Sequence, residues 1–319
     1  MKKQLSWLLL LFIAVMTTQC KRNKSNTEIY SVAKAKKNVV FTPQSVLRYS
    51  KNLPPLVSSH RGGATKFFPE NCLETFQNTL KHTFSLLEID PHYTKDSVIV
   101  LMHDASLNRT TTGSGKVLEH TYKEITQYKL KDLEGNVTEF KVPKLADIIN
   151  WAKGKTFLIL DMKDVPTEQR VKEIQRNKGQ SSTILMVYNY KDAKLCYDLD
   201  PTIMMEVFIP TLEKAKEFEK TGVPWKNVIA FITHQKPEDD SVINYLHTKD
   251  VLCIVGSSRT VDVQYTKDND IDKLNQGYES ILQTGADIIE ANLGILAGKY
   301  MNQRNKKEYQ EFINSLKNK

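Results

Sequence analysis

The sequence predicts an α/β fold, a TIM-type (β/α)8 barrel with a small insertion after its second strand, and three observations point there. Short β-rich apolar runs alternate with helical patterns from Leu56 to the end of the 319-residue chain, which argues for parallel strands joined by helical crossovers. The turn after the first run reads His60-Arg61-Gly62-Gly63, not the glycine-rich fingerprint with which an open doubly wound sheet cradles a dinucleotide. Polar residues that look out of place stand just past the C-terminal ends of three successive runs, the rim on which a β/α barrel assembles its active site. Periodicity by itself is compatible with either a closed barrel or an open sheet, and the second and third observations favour closure.

The strand runs are Leu56–Ser59, Leu86–Asp90, Phe157–Leu160, Thr183–Val187, Ile203–Val207, Val228–Ile232, Val251–Val255 and Asp287–Glu290. Leu73/Phe76/Leu80, Leu145/Ile148/Ile149/Ala152 and Leu274/Tyr278/Ile281/Leu282 recur at helical spacing and mark apolar faces that can cover the strands from outside. Val98–Met102 follows the second strand too closely for a helix to intervene, so it reads as the return arm of a hairpin. Residues 107–141 are rich in Thr, Gly, Lys and Glu with little apolar periodicity and read as an insertion on the barrel face.

The N-terminus carries a different message. Lys2 and Lys3 precede ten apolar residues, Trp7 to Met16, the layout of a secretory signal. As a helix that run rises only about 15 Å, roughly half a hydrocarbon core, so export is the expectation and a permanent span is not. Thr17-Thr18-Gln19-Cys20 resembles a bacterial lipobox, with Gln19 where a small residue is usual, and implies an exported, membrane-anchored bacterial lipoprotein, periplasmic or on the outer surface. The expected organisation is a signal at 1–20, a polar and basic tether at 21–52 and the barrel at 53–319. Cys72, Cys196 and Cys253 are odd in number and widely spaced, which supports neither a disulfide framework nor a zinc set and suits buried small hydrophobes.

The chain has 40% apolar residues, enough for a large core, and a net charge of +8 that is scattered along it. Scattered positive charge attracts small anionic substrates in general. No interleaving of basic and aromatic residues points to nucleic acid.

The chemistry concentrates at the rim. Glu88 and Asp90 lie two apart on a strand and leave the same face, and Asp161 and Lys163 repeat that spacing. Two carboxylates about 4 Å apart repel by about 4 kcal/mol at an effective dielectric near 20, so a site that gathers three recruits a cation or shares a proton. The bland alternative, solvated carboxylates paired with surface lysines, suits one such pair better than three residues at equivalent rim positions. An all-oxygen set favours Ca2+ or Mg2+ over zinc. His60 and His103, two of seven histidines, each stand at an apparent strand end beside Arg61 or Asp104. A pair of imidazoles near a carboxylate cluster is what displacement at a phosphodiester asks for, one taking the nucleophile's proton and the other protonating the departing oxygen.

At these residues the chain resembles the glycerophosphodiester phosphodiesterase family. His60-Arg61-Gly62, Pro69-Glu70-Asn71, Glu88-Ile89-Asp90, His103-Asp104 with Leu107, Arg109, Thr110 and Thr111, then Val142-Pro143-Lys144-Leu145 and Leu160-Asp161-Met162-Lys163, follow the family's motif order. The resemblance implies a TIM barrel that hydrolyses glycerophosphodiesters, small-molecule substrates, to glycerol phosphate and an alcohol. It implies that His60 and His103 are the acid/base pair and that Glu88, Asp90 and Asp161 hold the divalent cation. Arg61 and Lys163 would contact phosphate, with Glu70 and Asn71 in support at the rim. Three positions depart from the family pattern: Asp161 stands where glutamate is usual, and Ile254-Val255-Gly256-Ser257 and Glu290-Ala291-Asn292-Leu293 replace its late-strand motifs. Two other functions share the same residues, a phospholipase C-like route through a cyclic phosphate and a lipoprotein that binds a phosphorylated ligand without turnover.

Overall fold

The computed structural model describes residues 41–317, so the expected signal, Cys20 and most of the expected tether lie outside the described residues. The strands are β1 (Leu56–Ser59), β2 (Leu86–Ile89), β3 (Pro91–Tyr93), β4 (Ile99–Leu101), β5 (Leu158–Leu160), β6 (Thr183–Val187), β7 (Met204–Phe208), β8 (Val228–Thr233), β9 (Cys253–Gly256) and β10 (Ile288–Ala291). All but β3 and β4 form one closed parallel barrel, shut by the pairing of Leu56 with Ile288 and Val57 with Ile289. The eight expected runs are its strands: Leu56–Ser59 and Thr183–Val187 match at both ends, and the ends of the others are displaced by at most two residues. β3 and β4 pair antiparallel, so Val98–Met102 does return along a hairpin.

Closure explains why those runs were legible. Leu56, Leu86, Ile159, Ile184, Met204, Ile229, Ile254 and Ile288 pack together inside the barrel. Their sequence neighbours Val57, Leu87, Leu158, Leu185, Met205, Ala230, Cys253 and Ile289 pack outward against helices such as Leu73–His82, Leu145–Ala152 and Ile271–Leu282. Strands buried on both faces are apolar without alternation. Cys72, Cys196 and Cys253 are buried as expected, and burial pushes the Cys196 thiol up to about 12.

The floor of the barrel corrects the tether boundary. Phe41 stacks on Phe157 at 4.7 Å, and Phe84 meets Phe157 and Phe312 edge-on. Val46 and Leu47 join the same cluster, beneath the helix Lys306–Lys317. Residues 41–52 therefore belong to the folded barrel, because Phe41 and Leu47 find an apolar floor that local composition does not reveal.

The insertion at 107–141 also has a core of its own. Leu107, Val117, Ile125 and Leu130 pack with Cys72, Val100, Met102 and Val142. Its apolar residues are spaced by turns and single bridges, which is why no period showed.

One buried cation ties the rim together. Arg170 is fully buried on the helix Thr167–Arg176 and donates to the carbonyls of Leu160 (3.1 Å) and Met186 (2.7 Å) and to Thr167 Oγ1 (3.0 Å). It clamps the ends of β5 and β6. Arg170→Met removes the side-chain donor that both carbonyls share, and the expected cost is about 2–5 kcal/mol, read from the denaturant midpoint. A midpoint within experimental error of wild type would refute the clamp.

Candidate active site

Barrel parity delivers the polar residues to one place. The inward positions that begin with Leu86, Ile159, Met204 and Ile288 continue, two residues at a time, to Glu88 and Asp90, Asp161, Glu206, and Glu290 with Asn292. A cavity of about 530 Å³ opens there, lined among others by His60, Arg61, Glu70, Glu88, His103, Asp161 and Lys163. Asp90 and Asn71 are buried beside them. All nine candidate residues thus gather at the C-terminal end of the barrel.

The turn after β1 is strained in a useful direction. Arg61 has φ 54°, and its amide donates to Glu88 Oε2 at 2.7 Å. Gly62 follows at φ +83°, where a Cβ would come within 2.2 Å of Phe76, so only glycine passes. Asn71 (φ 58°) and Lys163 (φ 42°) also occupy left-handed backbone, a concentration typical of functional loops.

Glu88, Asp90 and Asp161 offer oxygens that all lie within 4.8 Å of one another. Burial, then the charges of Asp90, Asp161 and Glu290, push the Glu88 carboxyl well above its ordinary range. Burial would raise Asp161 too, but Lys163, Tyr188 and the Met162 amide more than offset it and hold the group low. Tyr188 donates to Asp161 Oδ1 at 2.5 Å, and Asn71 Nδ2 donates to Asp90 Oδ2 at 2.6 Å. The donor set is all oxygen and carries more negative charge than its neighbours neutralise, which fits a hard divalent cation. Lys163 Nζ sits 2.9 Å from Asp90 and 2.7 Å from Asp161. Its ammonium is thus paired with two of the candidate ligands.

Each histidine has a defined tautomer. Asn292 Nδ2 donates to the Ser258 carbonyl, so Asn292 Oδ1 is the atom 2.6 Å from His60 Nδ1 and accepts from it. His60 Nε2 lies 3.9 Å from Glu88 Oε2 and is not engaged by Asn292. His103 Nδ1 lies 2.8 Å from Asp104 Oδ1, a carboxylate that only accepts, so its Nε2 is likewise free. Asn292 belongs to the late stretch that departs from the family pattern, yet it orients a histidine of the intact half.

Arg109 joins the two halves of the site. Its guanidinium grips Asp104 (2.7 and 2.9 Å) and Glu70 (2.9 and 2.7 Å), and Glu70 also accepts from Arg61 Nη1 at 3.1 Å. Burial alone would raise the Glu70 carboxyl, but the Arg109 hydrogen bonds and the charges of both arginines hold it below 4.5. A carboxyl depressed on folding stabilises above its free value and loses that contribution as the pH falls through the folded value. Arg109 is 43% exposed and solvent screens its pairs, so Arg109→Ala is expected to cost only about 1 kcal/mol at pH 7, and the deficit shrinks below pH 4.5. Equal deficits at pH 7 and pH 3, from urea titrations, would contradict this coupling.

Sequence reasoning left several lining residues without a role: Tyr188, Glu206, His234, Arg259, Glu290 and Asn292. The rule of two that selected Glu88 and Asp90 also selects Glu206 after Met204.

A sequence profile of the Glycerophosphoryl diester phosphodiesterase family matches residues 60–205. A solved glycerophosphoryl diester phosphodiesterase of Parabacteroides distasonis is 38% identical with a TM-score of 0.78, covering 82% of this chain and 90% of that one. An uncharacterized Bacillus subtilis protein, YqiK, is 33% identical over 155 residues, 46% of this chain. The chain spans 63% of the length of that relative. A glycerophosphodiester phosphodiesterase of the same organism is 36% identical over 89 residues, 27% of this chain and 30% of that one.

Proposed function

Because the chain belongs to the glycerophosphoryl diester phosphodiesterase family, we propose that it hydrolyses a glycerophosphodiester to glycerol phosphate and an alcohol by paired histidine acid/base chemistry that depends on a divalent cation. One observation carries the reading: two imidazoles with free Nε2 atoms line the same cavity as a buried carboxylate cluster. Glu88, Asp90 and Asp161 would hold Ca2+ or Mg2+, which when bound supplies positive charge against the phosphoryl oxygens.

The chain's own groups do the rest. Asn292 and Asp104 fix the His60 and His103 tautomers, so that one Nε2 accepts the nucleophile's proton and the other, once protonated, returns a proton to the departing alcohol oxygen. Arg61, held by Glu70, presents its guanidinium at the cavity wall toward phosphate. Lys163 balances Asp90 and Asp161 from the cavity side and can reach the same phosphate.

Export and lipid attachment at Cys20 belong to the same reading, supported by Lys2-Lys3, the apolar run and the lipobox-like end. Purified protein should release glycerol phosphate from glycerophosphocholine or glycerophosphoethanolamine in the presence of Ca2+ or Mg2+. No release under either ion would overturn the proposal.

A further inference from the structure

The cavity holds negative charge that the steps above do not use. Glu206 on β7 and Glu290 on β10 are 1% and 3% exposed, and both line the cavity. Oε2 of Glu206 is buried without a hydrogen-bond partner. A carboxylate in that condition keeps a proton or receives a cation. Burial, then the Glu290 and Asp161 charges, raises the Glu206 carboxyl, so removal of that cost is available to any cation that enters.

The chain itself supplies little. His234 lies 4.0 Å from Glu290, but burial, followed by the charges of Arg259 and His60, pushes its imidazolium down to about 4 and leaves the ring neutral at pH 7. Burial raises the Glu290 carboxyl, and the charges of His60 and then Arg259 oppose that only in part; Arg259 lines the cavity, yet it is exposed to water and pairs with neither carboxylate.

The surroundings decide which cation fits. A compact metal ion needs several oxygens drawn close together. Among the described residues, the sets of three His, Cys, Asp or Glu donors within 4.8 Å of one another are Glu88–Asp90–Asp161 and His247–Cys253–Asp287, and neither includes Glu206 or Glu290. The wall beside them is aromatic: Phe208 and Phe231 stack at 5.0 Å, His234 leans on Phe231 at 4.6 Å, and Tyr188 lines the same cavity. An alkylammonium is broad, carries its charge on an apolar shell and is attracted to ring faces.

We propose that Glu206 and Glu290, walled by Phe208, Phe231 and Tyr188, receive an alkylammonium group on the alcohol side of the phosphodiester, so that the chain selects diesters with a cationic leaving alcohol. This rests on the phosphodiesterase reading and deepens it.

The test compares kcat/KM on glycerophosphocholine with kcat/KM on glycerophosphoglycerol, whose alcohol is uncharged, in the wild type and in Glu206→Gln and Glu290→Gln. The wild type should favour the choline diester by about tenfold or more, and each variant should reduce that ratio by about tenfold. A wild type without preference, or variants that lose both activities in parallel, would overturn the subsite while leaving the hydrolysis intact. Binding of choline alone, by calorimetry, decides the matter independently of turnover. Affinity weakened about tenfold by Glu206→Gln supports the subsite, and unchanged affinity overturns it. If neither diester is cleaved, the phosphodiesterase reading falls on its own, and the choline isotherm still judges Glu206. A magnesium or calcium isotherm that drops from two ions to one in Glu206→Gln would replace the ammonium with a second metal and sink the proposal.

Discussion

Alanine at His60 or at His103 is expected to lower kcat on a glycerophosphodiester by about 10²–10⁴, with KM changed little. The reason is local. Each ring has one nitrogen committed as a donor, to Asn292 or to Asp104, and the other free within the same cavity. Neither ring contributes to the barrel core, so both variants should keep wild-type circular dichroism and unfolding midpoints. A leaving group that needs no proton separates the two roles. On a nitrophenyl diester, whose departing phenolate is already stable, the variant that lost the general acid should recover most of its rate, and the variant that lost the base should not. Full activity in both variants on the natural diester would end the acid/base assignment.

Chelation is expected to reduce turnover by about 10³ or more, restored by Ca2+ or Mg2+, because a cation among these oxygens contributes several kcal/mol against developing phosphoryl charge. Glu88→Gln is the matching substitution. It preserves shape and the acceptor for the Arg61 amide, 2.7 Å away, while removing one full charge. Ion affinity should weaken at least tenfold, visible by calorimetry apart from any assay of activity. Undiminished turnover in the presence of chelator, or an unaltered isotherm for Glu88→Gln, would remove the cation from the reaction.

The barrel was legible because burial on both faces writes each strand as an uninterrupted apolar run, and eight such runs announce themselves without an alignment. The first half of the site was legible for a related reason: Glu88, Asp90 and Asp161 interrupt those runs at strand ends, where charge has no place unless it is used. Glu206 and Glu290 interrupt runs in the same manner. Their role stayed hidden because it depends on which strands face one another across the axis, a non-local property of closure. Arg109 shows the same limit more sharply. It lies five residues from Asp104 but 39 from Glu70, and only the docked insertion reveals that one guanidinium serves both. The packing of Phe41 under Phe157 belongs to this class as well, since an aromatic next to a basic segment looks like linker until the opposing floor is known.

That floor has a directional consequence. Phe41 enters beneath the strands' N-terminal ends, and the cavity opens beyond their C-terminal ends. The first described residues therefore lie at the end of the barrel opposite the cavity. The lipid anchor proposed at Cys20 would then join the barrel on the side away from the cavity, and diesters free to diffuse would reach the cavity without passing the point of attachment.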